Sequence, residues 1–236
     1  MNVAIIPARG GSKRIPRKNL KLFGGKPMLV HSIEAALKSG CFEKVVVSTD
    51  DPEIAVVARK WGADVPFDRP LELSDDHTPT RAVINHAIAE IAMLYGLPEF
   101  VCCIYATAPF LRYGDLIGSL ITLRAQNVDF VFSVTTFASP IQRALRISAS
   151  GAVVPFYPEF MGSRSQDLEE AYHDAGQFYW GRPSAFLSNA SMFGGTGLPF
   201  VLPRWRVQDI DTIEDWQRAE LMFDVLTREA APGAIV

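Results

Sequence analysis

Five cationic side chains fall within ten residues near the start of the chain, just after the apolar run at 3–6. They are Arg9, Lys13, Arg14, Arg17 and Lys18. Gly10 and Gly11 lie among them; glycines let backbone N–H groups approach phosphate oxygens closely, while Lys and Arg neutralise the phosphate charge. The spacing matches neither the Walker A loop nor the dinucleotide-binding fingerprint. A solvated basic turn is the alternative, but the position directly after a buried strand favours a polyphosphate site.

A pair of carboxylates, Asp209 and Asp211, forms the second segment that could do chemistry. If the segment is extended, both carboxylates point to one side and Ile210 points into the core. Two carboxylates without an adjacent cation suit a hard divalent metal such as Mg²⁺. Residues 212–215 also resemble a capping box, so Asp211 could instead stabilise a helix N-terminus. Because Mg²⁺ normally accompanies nucleoside triphosphates, the polyphosphate loop favours the metal site.

The overall composition is that of an ordinary globular protein. Of the 236 residues, 48% are hydrophobic and 21% are charged, and the net charge is −3,. Without a global basic excess we expect no nucleic-acid partner, and positive charge confined to residues 9–18 suits a small anionic ligand. No apolar run is long enough for a membrane span or a signal peptide, so we expect no membrane association.

The odd cysteine count includes adjacent Cys102 and Cys103, which a strand would place on opposite faces,. We therefore predict reduced thiols in a cytoplasmic protein.

Alternating strand and helix patterns must position these residues. We expect strands at 3–6, 44–49, 100–104 and 130–135, and helices at 28–39, 52–62, 78–94, 114–126 and 212–228, with Thr78 as the N-cap of the third helix,. This order predicts one α/β domain over residues 1–236, with a mostly parallel, Rossmann-like sheet and helices on both faces. Ligands of such sheets bind outside the carboxyl ends of the strands. Arg9, Asp50, Tyr105 and Thr135 follow strands there, so one crevice should collect them.

Residues 137–175 interrupt the alternation. Pro140, Pro155 and Pro158 argue against another strand–helix unit, and the segment is apolar but too short for its own core,. Such an excursion often packs against a partner subunit. A covering loop on the same chain fits the composition equally well.

The motifs together resemble the CMP-sialic acid synthetase family of cytidylyltransferases, which act on nine-carbon acidic sugars. The resemblance lies in residues 6–13, 16–19, 45–50, 69–70 and 209–211. It implies a fold of the nucleotide-diphospho-sugar transferase type, a homodimer, and a Mg²⁺-dependent transfer of CMP from CTP. By position, it implies a nucleotide-binding set of Ala8, Arg9, Gly10, Gly11, Ser12, Lys18, Asn19, Arg69, Asp75 and Thr78. Asp209 and Asp211 would bind the metal, and Lys18, Arg9 and Asp211 would be catalytic.

Two segments depart from the sialic-acid enzymes. The chain has Tyr-Ala-Thr-Ala-Pro at 105–109 where they usually have Gln-Pro-Thr-Ser-Pro, and Ala-Gly-Gln-Phe-Tyr at 175–179 where they tend to have Asn-Gly-Ala-Ile-Tyr. Residues 141–144, 164–167 and 173–180 instead resemble the pseudaminic acid cytidylyltransferases, whose sugar carries acylated nitrogens and a deoxygenated chain end. The resemblance implies a substrate-binding set of Tyr105, Gln142, Arg143, Arg164, Gln177 and Tyr179.

The mechanism expected from this resemblance is direct displacement at the α-phosphorus of CTP by the anomeric hydroxyl of the sugar. Lys18 and Arg9 would stabilise charge on the phosphates, and Asp211 is a candidate proton acceptor. Arg143 or Arg164 would meet the sugar carboxylate, although each could be a surface salt bridge. The alternatives are an enzyme acting on N-acetylneuraminic or legionaminic acid, and a nucleotide-binding module without turnover.

Overall fold

The computed structural model describes residues 1–126, 128–188 and 191–229. Within these ranges ten strands and six α-helices follow one another. In chain order they are β1 (Asn2–Pro7), β2 (Leu22–Phe23), β3 (Lys26–Pro27), α1 (Met28–Ser39), β4 (Lys44–Ser48), α2 (Pro52–Lys60), α3 (Thr80–Tyr95), β5 (Phe100–Ile104), α4 (Tyr113–Ala125), β6 (Phe130–Thr136), β7 (Leu145–Ile147), β8 (Val153–Pro155), β9 (Tyr172–Gly181), α5 (Pro183–Leu187), β10 (Gly197–Val201) and α6 (Ile213–Glu229).

The central sheet has six strands in the order β10-β6-β9-β5-β1-β4. β1 pairs in parallel with β4 and β5, and β10 pairs in parallel with β6. β9 is antiparallel to both of its neighbours, β5 and β6. Five of the six strands therefore share one direction, which confirms the mostly parallel sheet expected from the sequence.

The antiparallel strand β9 is irregular in the middle. Its register against β6 shifts between Phe132 and Val134, and Gly176 has a left-handed φ of +61°. At this bulge the Ser133 hydroxyl accepts hydrogen bonds from the backbone N–H groups of Gln177 and Phe178, at 3.3 and 3.2 Å. Bulges change the direction of side chains along a strand, and they are frequent beside active sites.

Two apolar clusters cover the two faces of the sheet. One contains buried residues of α1, α2 and α4, and the other contains buried residues of α3 and α5. Cys102 belongs to the first cluster and Cys103 to the second, as expected for adjacent strand residues, and all three cysteines are free thiols. Ile210 is fully buried in a third cluster, which joins α6 to the segment after the N-terminal loop.

The expected N-cap of the third helix, Thr78, is wrong by one residue. α3 begins at Thr80, and Pro79 is its N-cap. The Thr78 hydroxyl donates to the Asp75 carboxylate at 2.7 Å instead of capping the helix. Asp75 also accepts from the backbone N–H groups of His77 and Thr78, so a turn centred on Asp75 uses the polar groups that a helix cap would need,.

The excursion leaves the sheet after β6 and returns at β9. Its ends are joined by a hydrogen bond from the Phe137 N–H to the Ala171 carbonyl at 3.1 Å, so it covers 137–171 and is shorter than the expected 137–175. It contains the small β7–β8 hairpin. Its exposed apolar side chains include Leu145, Ile147 and Val153, which lie on the hairpin. In the described part of the chain, no helix has the length and apolar character to cross a membrane.

Candidate active site

A cleft of about 260 Å³ opens at the carboxyl ends of β1 and β5. We call it the cationic cleft. It is lined by Pro7, Arg9, Ser12, Arg14, Lys18, Asn19, Arg69, Leu73, Asp75, Asp76, Thr78, Thr80, Val83, Tyr105, Ala106, Thr107 and Asp211. The N-terminal loop thus meets a residue nearly two hundred positions away, because Ile15 of the loop and Ile210 before α6 are buried in the same apolar cluster.

Backbone contacts hold the first part of the loop against the sheet. The Ala8 N–H donates to the Ser48 carbonyl at 2.9 Å, and the Gly10 N–H donates to the Asp50 carboxylate at 3.1 Å. A Cβ at residue 10 would collide with the Asp51 side chain, so a larger residue there would displace Asp51 from its place at the N-terminus of α2. The two N–H groups are therefore engaged inside the protein, and Ala8, Gly10 and Gly11 do not line the cleft.

Arg17 points away from the cleft, whereas Arg9, Arg14 and Lys18 line it. Its guanidinium pairs with Asp51 and, at 2.6 Å, with Glu53, both at the N-terminus of α2. Its φ is +55°, a conformation that a residue with a side chain rarely adopts,. The hydrogen bond from Arg17 lowers the pKa of the Asp51 carboxyl, although burial opposes this shift. Arg17 thus anchors the loop to α2.

Asp76 pairs with two of the loop cations. Its carboxylate contacts the Arg9 guanidinium at 2.6 Å and also contacts Lys13. Hydrogen bonds from Lys13 and Arg9 lower the pKa of Asp76. The Arg9 guanidinium also donates to the Asp75 carbonyl at 2.8 Å. The segment before α3 therefore supplies the negative charge that balances this end of the cleft.

Lys18 and Asp211 bring the two sequence motifs into contact. The Lys18 ammonium is 3.3 Å from an Asp211 oxygen and donates to the Ile210 carbonyl at 2.6 Å. Arg14 approaches the other Asp211 oxygen at 2.9 Å. The expectation that the carboxylate pair has no adjacent cation is therefore wrong, because folding brings distant cations to Asp211.

Asp209 and Asp211 have the donor chemistry that a magnesium ion requires. Burial and then the Asp211 carboxylate raise the pKa of Asp209, as expected for two close negative charges. Asp215 caps α6 with Thr212, whose N–H and hydroxyl both donate to it at 2.8 Å, so Asp211 is not needed as the cap. Among the described residues, no group of three or more acidic, His or Cys side chains could enclose a metal. Mg²⁺ is commonly held by one or two carboxylates completed by phosphates and water, which this pair fits.

Arg69 lies on the floor of the cationic cleft. Its Nε donates to the Ser48 hydroxyl at 3.1 Å, and its terminal nitrogen donates to the Ser48 carbonyl. Burial lowers its pKa to about 10, so it remains charged at neutral pH. Asn19 is also buried and donates to the Arg9 carbonyl at 3.0 Å. Both side chains therefore help to build the cleft as well as to line it.

A second cavity of about 150 Å³ adjoins the cationic cleft and shares Thr80 and Tyr105 with it. We call it the apolar cavity. It is lined by Thr80, Arg81, Ile84, Cys103, Tyr105, Asp174, Tyr179, Phe186, Met192 and Phe193. Two residues of the expected substrate-binding set, Tyr105 and Tyr179, therefore lie here.

The other four residues of that set lie elsewhere. Gln177 is buried and donates to the Arg206 carbonyl at 2.6 Å. Gln142 donates to the Glu169 carbonyl at 3.0 Å, Arg143 to the Ser163 carbonyl, and Arg164 pairs with Asp167 at 2.7 Å. Among the described residues, the polar partners of Gln142, Arg143 and Arg164 thus all belong to the excursion itself.

Thr135 does not reach the crevice either. It is buried and donates to the Leu202 carbonyl at 2.8 Å. The expectation that it would line the site is wrong, since β6 is separated from β5 by the inserted strand β9.

The family model for cytidylyltransferases matches residues 3–154, which contain the N-terminal loop, Arg69 and Tyr105. The chain belongs to the cytidylyltransferase family. A pseudaminic acid cytidylyltransferase of Campylobacter jejuni is 47% identical, over 95% of this chain and 97% of that protein. A CMP-N,N'-diacetyllegionaminic acid synthase of Legionella pneumophila is 32% identical, over 97% of this chain and 98% of that protein. The resemblance found in the sequence is thereby confirmed.

The fold of the cytidylyltransferase is also that of solved nucleotidyltransferases. A structure of CMP:2-keto-3-deoxy-manno-octonic acid synthetase complexed with CTP matches with a TM-score of 0.69 and 18% identity, covering 95% of this chain and 99% of that one. 4-Diphosphocytidyl-2C-methyl-D-erythritol synthase from Anaerococcus prevotii matches with a TM-score of 0.59 and 15% identity, covering 94% and 98%. At these identities the likeness concerns the fold alone, and it confirms the expected fold class.

Of three acidic residues at the cytidylyltransferase site, Asp76 and Asp174 escaped the sequence interpretation, whereas Asp50 was expected there. Asp76 balances Arg9 and Lys13, Asp50 holds the Gly10 N–H, and Asp174 lines the apolar cavity. Asp50 follows β4 directly, and its position at a strand end pointed to the crevice. Asp76 and Asp174 carried no such signal, because their partners are distant in sequence or depend on the β9 bulge.

Proposed function

We propose that this cytidylyltransferase transfers CMP from CTP to the anomeric hydroxyl of pseudaminic acid and releases pyrophosphate. The observation that carries the proposal is the meeting of Lys18 with Asp211 beside a second, largely apolar cavity. A triphosphate needs cations, and a sugar with acylated nitrogens and a deoxygenated end needs an apolar space. The 47% identity to a pseudaminic acid cytidylyltransferase supports this choice of sugar.

Arg9, Ser12 and Lys18 would hold the triphosphate of CTP. The Lys18 side chain is only 17% exposed, so its ammonium acts with little solvent screening on charge that develops at the α-phosphate and on the leaving pyrophosphate,. The Asp76 carboxylate contacts Arg9 and Lys13, so it occupies the place that phosphate oxygens of CTP would take. When CTP binds, the phosphate oxygens would replace the Asp76 carboxylate at these two cations.

Asp209 and Asp211 would hold Mg²⁺ together with phosphate oxygens. When bound, the ion supplies positive charge at the phosphates and lowers the pKa of a bound hydroxyl. Asp211 lies at the end of the cationic cleft where Lys18 enters, so it is also the candidate acceptor for the proton of the attacking sugar hydroxyl,.

The buried end of the cleft suits the cytidine. Arg69 and Asn19 are both less than 10% exposed, and their side chains are held by Ser48 and by the Arg9 carbonyl. Fixed donors of this kind recognise carbonyl and ring-nitrogen acceptors, which cytosine carries. Asp75 and Thr78 line the same cleft and, bonded to each other, close the side that faces α3.

A homodimer is the second part of the proposal. The exposed apolar side chains of the β7–β8 hairpin need a cover, and a second copy of the excursion would supply it,. Arg143, Arg164 or Gln142, whose polar partners among the described residues belong to their own excursion, would then reach the partner's apolar cavity and meet the sugar carboxylate there.

Pyrophosphate release with CTP and Mg²⁺ tests the proposed reaction. Pseudaminic, legionaminic and N-acetylneuraminic acids are compared as acceptors, with each reaction repeated without sugar. We expect the highest kcat/KM with pseudaminic acid. A higher value with either other sugar would contradict the choice of substrate. CTP binding without pyrophosphate release for any sugar would indicate a binding module instead.

Sedimentation of the same preparation tests the dimer. A monomer that retains full activity would contradict the shared site.

A further inference from the structure

The apolar cavity contains one carboxylate, Asp174, that the proposed transfer of CMP does not use. It lies on β9, beside the bulge at Gly176. One of its oxygens accepts a hydrogen bond from the Tyr179 hydroxyl at 2.5 Å, and the other accepts from the Gly176 N–H at 2.8 Å. Both donors belong to the same strand as Asp174. The carboxylate is therefore held in a fixed position before any ligand binds.

The carboxylate also fixes the direction of the neighbouring hydrogen bonds. A carboxylate only accepts, so Tyr179 must use its one hydroxyl proton toward Asp174. The Tyr179 ring packs against the Tyr105 ring, with centroids 5.4 Å apart, and Tyr105 and Thr80 line the cationic cleft as well. With the Tyr179 proton directed to Asp174, the oxygens of Asp174 and Tyr179 act as acceptors toward a ligand,.

The Tyr179 hydroxyl keeps its proton at neutral pH, because burial raises the pKa of Tyr179 well above the usual value for a phenol. Among the described residues that line the cavity, the one cation is Arg81, which is held elsewhere: it donates to the Ser188 carbonyl at 2.8 Å, and its guanidinium lies over the Phe130 ring. Arg81 is therefore not paired with Asp174, and the Asp174 carboxylate is the charged group available to a ligand.

The rest of the lining is apolar. Ile84, Phe186, Met192 and Phe193 supply aliphatic and aromatic surface, and Phe193 packs edge-on against Phe132 at 5.2 Å. A ligand group that suits both parts carries an N–H donor next to a small apolar end. An acylated amine has both features, whereas a hydroxyl donates a hydrogen bond and leaves the apolar part unfilled.

We propose that Asp174 is a specificity-determining residue, which accepts the N–H of an acylamino group of the sugar and disfavours sugars that carry a hydroxyl at that position. The inference rests on the proposed function, since it takes the acceptor sugar to enter this cavity. It adds the part of the sugar that is recognised and the residue that recognises it.

The test compares Asp174→Ala with the wild type on three sugars: pseudaminic acid and its two analogues in which one or the other acylamino group is replaced by a hydroxyl. For pseudaminic acid we expect kcat/KM to fall roughly 10- to 100-fold, the loss typical of a hydrogen bond to a charged group. The loss should come from the sugar KM, with the CTP KM unchanged. For one analogue it should be less than about 3-fold, because that sugar lacks the N–H.

Two further variants keep the result interpretable. Tyr179→Phe retains the ring and removes the hydroxyl that orients Asp174, and we expect the same change in preference with a loss of about 10-fold. Asp224→Ala removes an exposed carboxylate on α6, away from both cavities, and should leave all three sugars unaffected. Circular dichroism melts establish that each variant is folded.

Equal losses of kcat/KM on all three sugars, or a raised CTP KM, would overturn the role of Asp174. Calorimetric titration of each sugar in the presence of a non-hydrolysable CTP analogue separates this result from the proposed function. If the wild type binds the sugars selectively but releases no pyrophosphate, and Asp174→Ala loses the selectivity, the result contradicts the proposed reaction and supports the role of Asp174. If Asp174→Ala turns over with an unchanged sugar preference, the result supports the proposed reaction and contradicts the role of Asp174. A wild type that neither binds nor transfers these sugars contradicts both.

Discussion

The cationic cleft and the apolar cavity meet at Thr80 and Tyr105, yet they are built in different ways. The cleft is made of charged side chains on loops, and carboxylates from distant segments pair with its cations. The described part of the cavity is walled by side chains of α3, β5, β9, α5 and the segments that follow β5 and α5, with a single carboxylate held by its own strand. The comparison indicates that the cleft can exchange its ion pairs for those of an anionic ligand, whereas the Asp174 carboxylate of the cavity is fixed before a ligand binds.

The largest effect expected in the cleft comes from Lys18→Ala. Lys18 is the least exposed cation of the loop for which an ion pair is found, and in the proposed function its charge would act at the reacting phosphate. We expect kcat to fall by on the order of 100-fold or more, with little change in the melting temperature. Lys60→Ala, at the exposed end of α2, serves as the matched control. Near-normal turnover in Lys18→Ala would remove this residue from the mechanism.

In the cavity, Phe193→Ala should affect the sugar and not the nucleotide. Phe193 lines the apolar cavity and is 67% exposed, so its loss should not unfold the protein. We expect kcat/KM for the sugar to fall about 10-fold, as apolar contact with the acyl group is lost, and the CTP KM to stay constant. Steady-state kinetics with each substrate varied in turn checks both values. A change confined to CTP would show that the two regions are not separate in function.

A smaller effect, of opposite sign, is expected from Asp76→Asn. In the proposed function the Asp76 carboxylate competes with the phosphates of CTP for Arg9 and Lys13. Neutralising Asp76 should therefore lower the CTP KM by about 2- to 5-fold, as expected for exposed ion pairs,. The difference from wild type should shrink as salt is added, because these groups are exposed to solvent. A raised CTP KM would mean that Asp76 binds the nucleotide complex itself.

The smallest effect is expected from Arg17→Ala. Arg17 belongs to the loop in sequence but pairs with Asp51 and Glu53 outside the cleft. We expect kcat and both KM values to stay within about 2-fold, and the free energy of unfolding to fall by about 0.5–1 kcal/mol. Kinetics and urea unfolding measure the two quantities. A strong loss of activity at unchanged stability would place Arg17 in the phosphate site after all.

Prediction from sequence succeeded where a local pattern decides the structure. The apolar runs and helix periodicities predicted four of the six central strands, β1, β4, β5 and β6, in their shared direction, and the capping box at Thr212 and Asp215 is formed. Prediction was less successful for the start of α3, since the Asp75 turn competes for the same hydroxyl and N–H groups. It also missed the direction of β9, because strand direction depends on long-range pairing and leaves no local signal.

The sequence alone determined the cationic character of the cleft, because the loop cations lie within ten residues and follow a buried strand. It could not determine which of those cations face the ligand. Arg17 turns outward and Lys18 inward through backbone geometry and distant carboxylates, which only the folded chain brings together. The apolar cavity was decided by tertiary structure almost entirely. Its residues come from separate elements, and the bulge that positions Asp174 exists only once β9 has paired with β6.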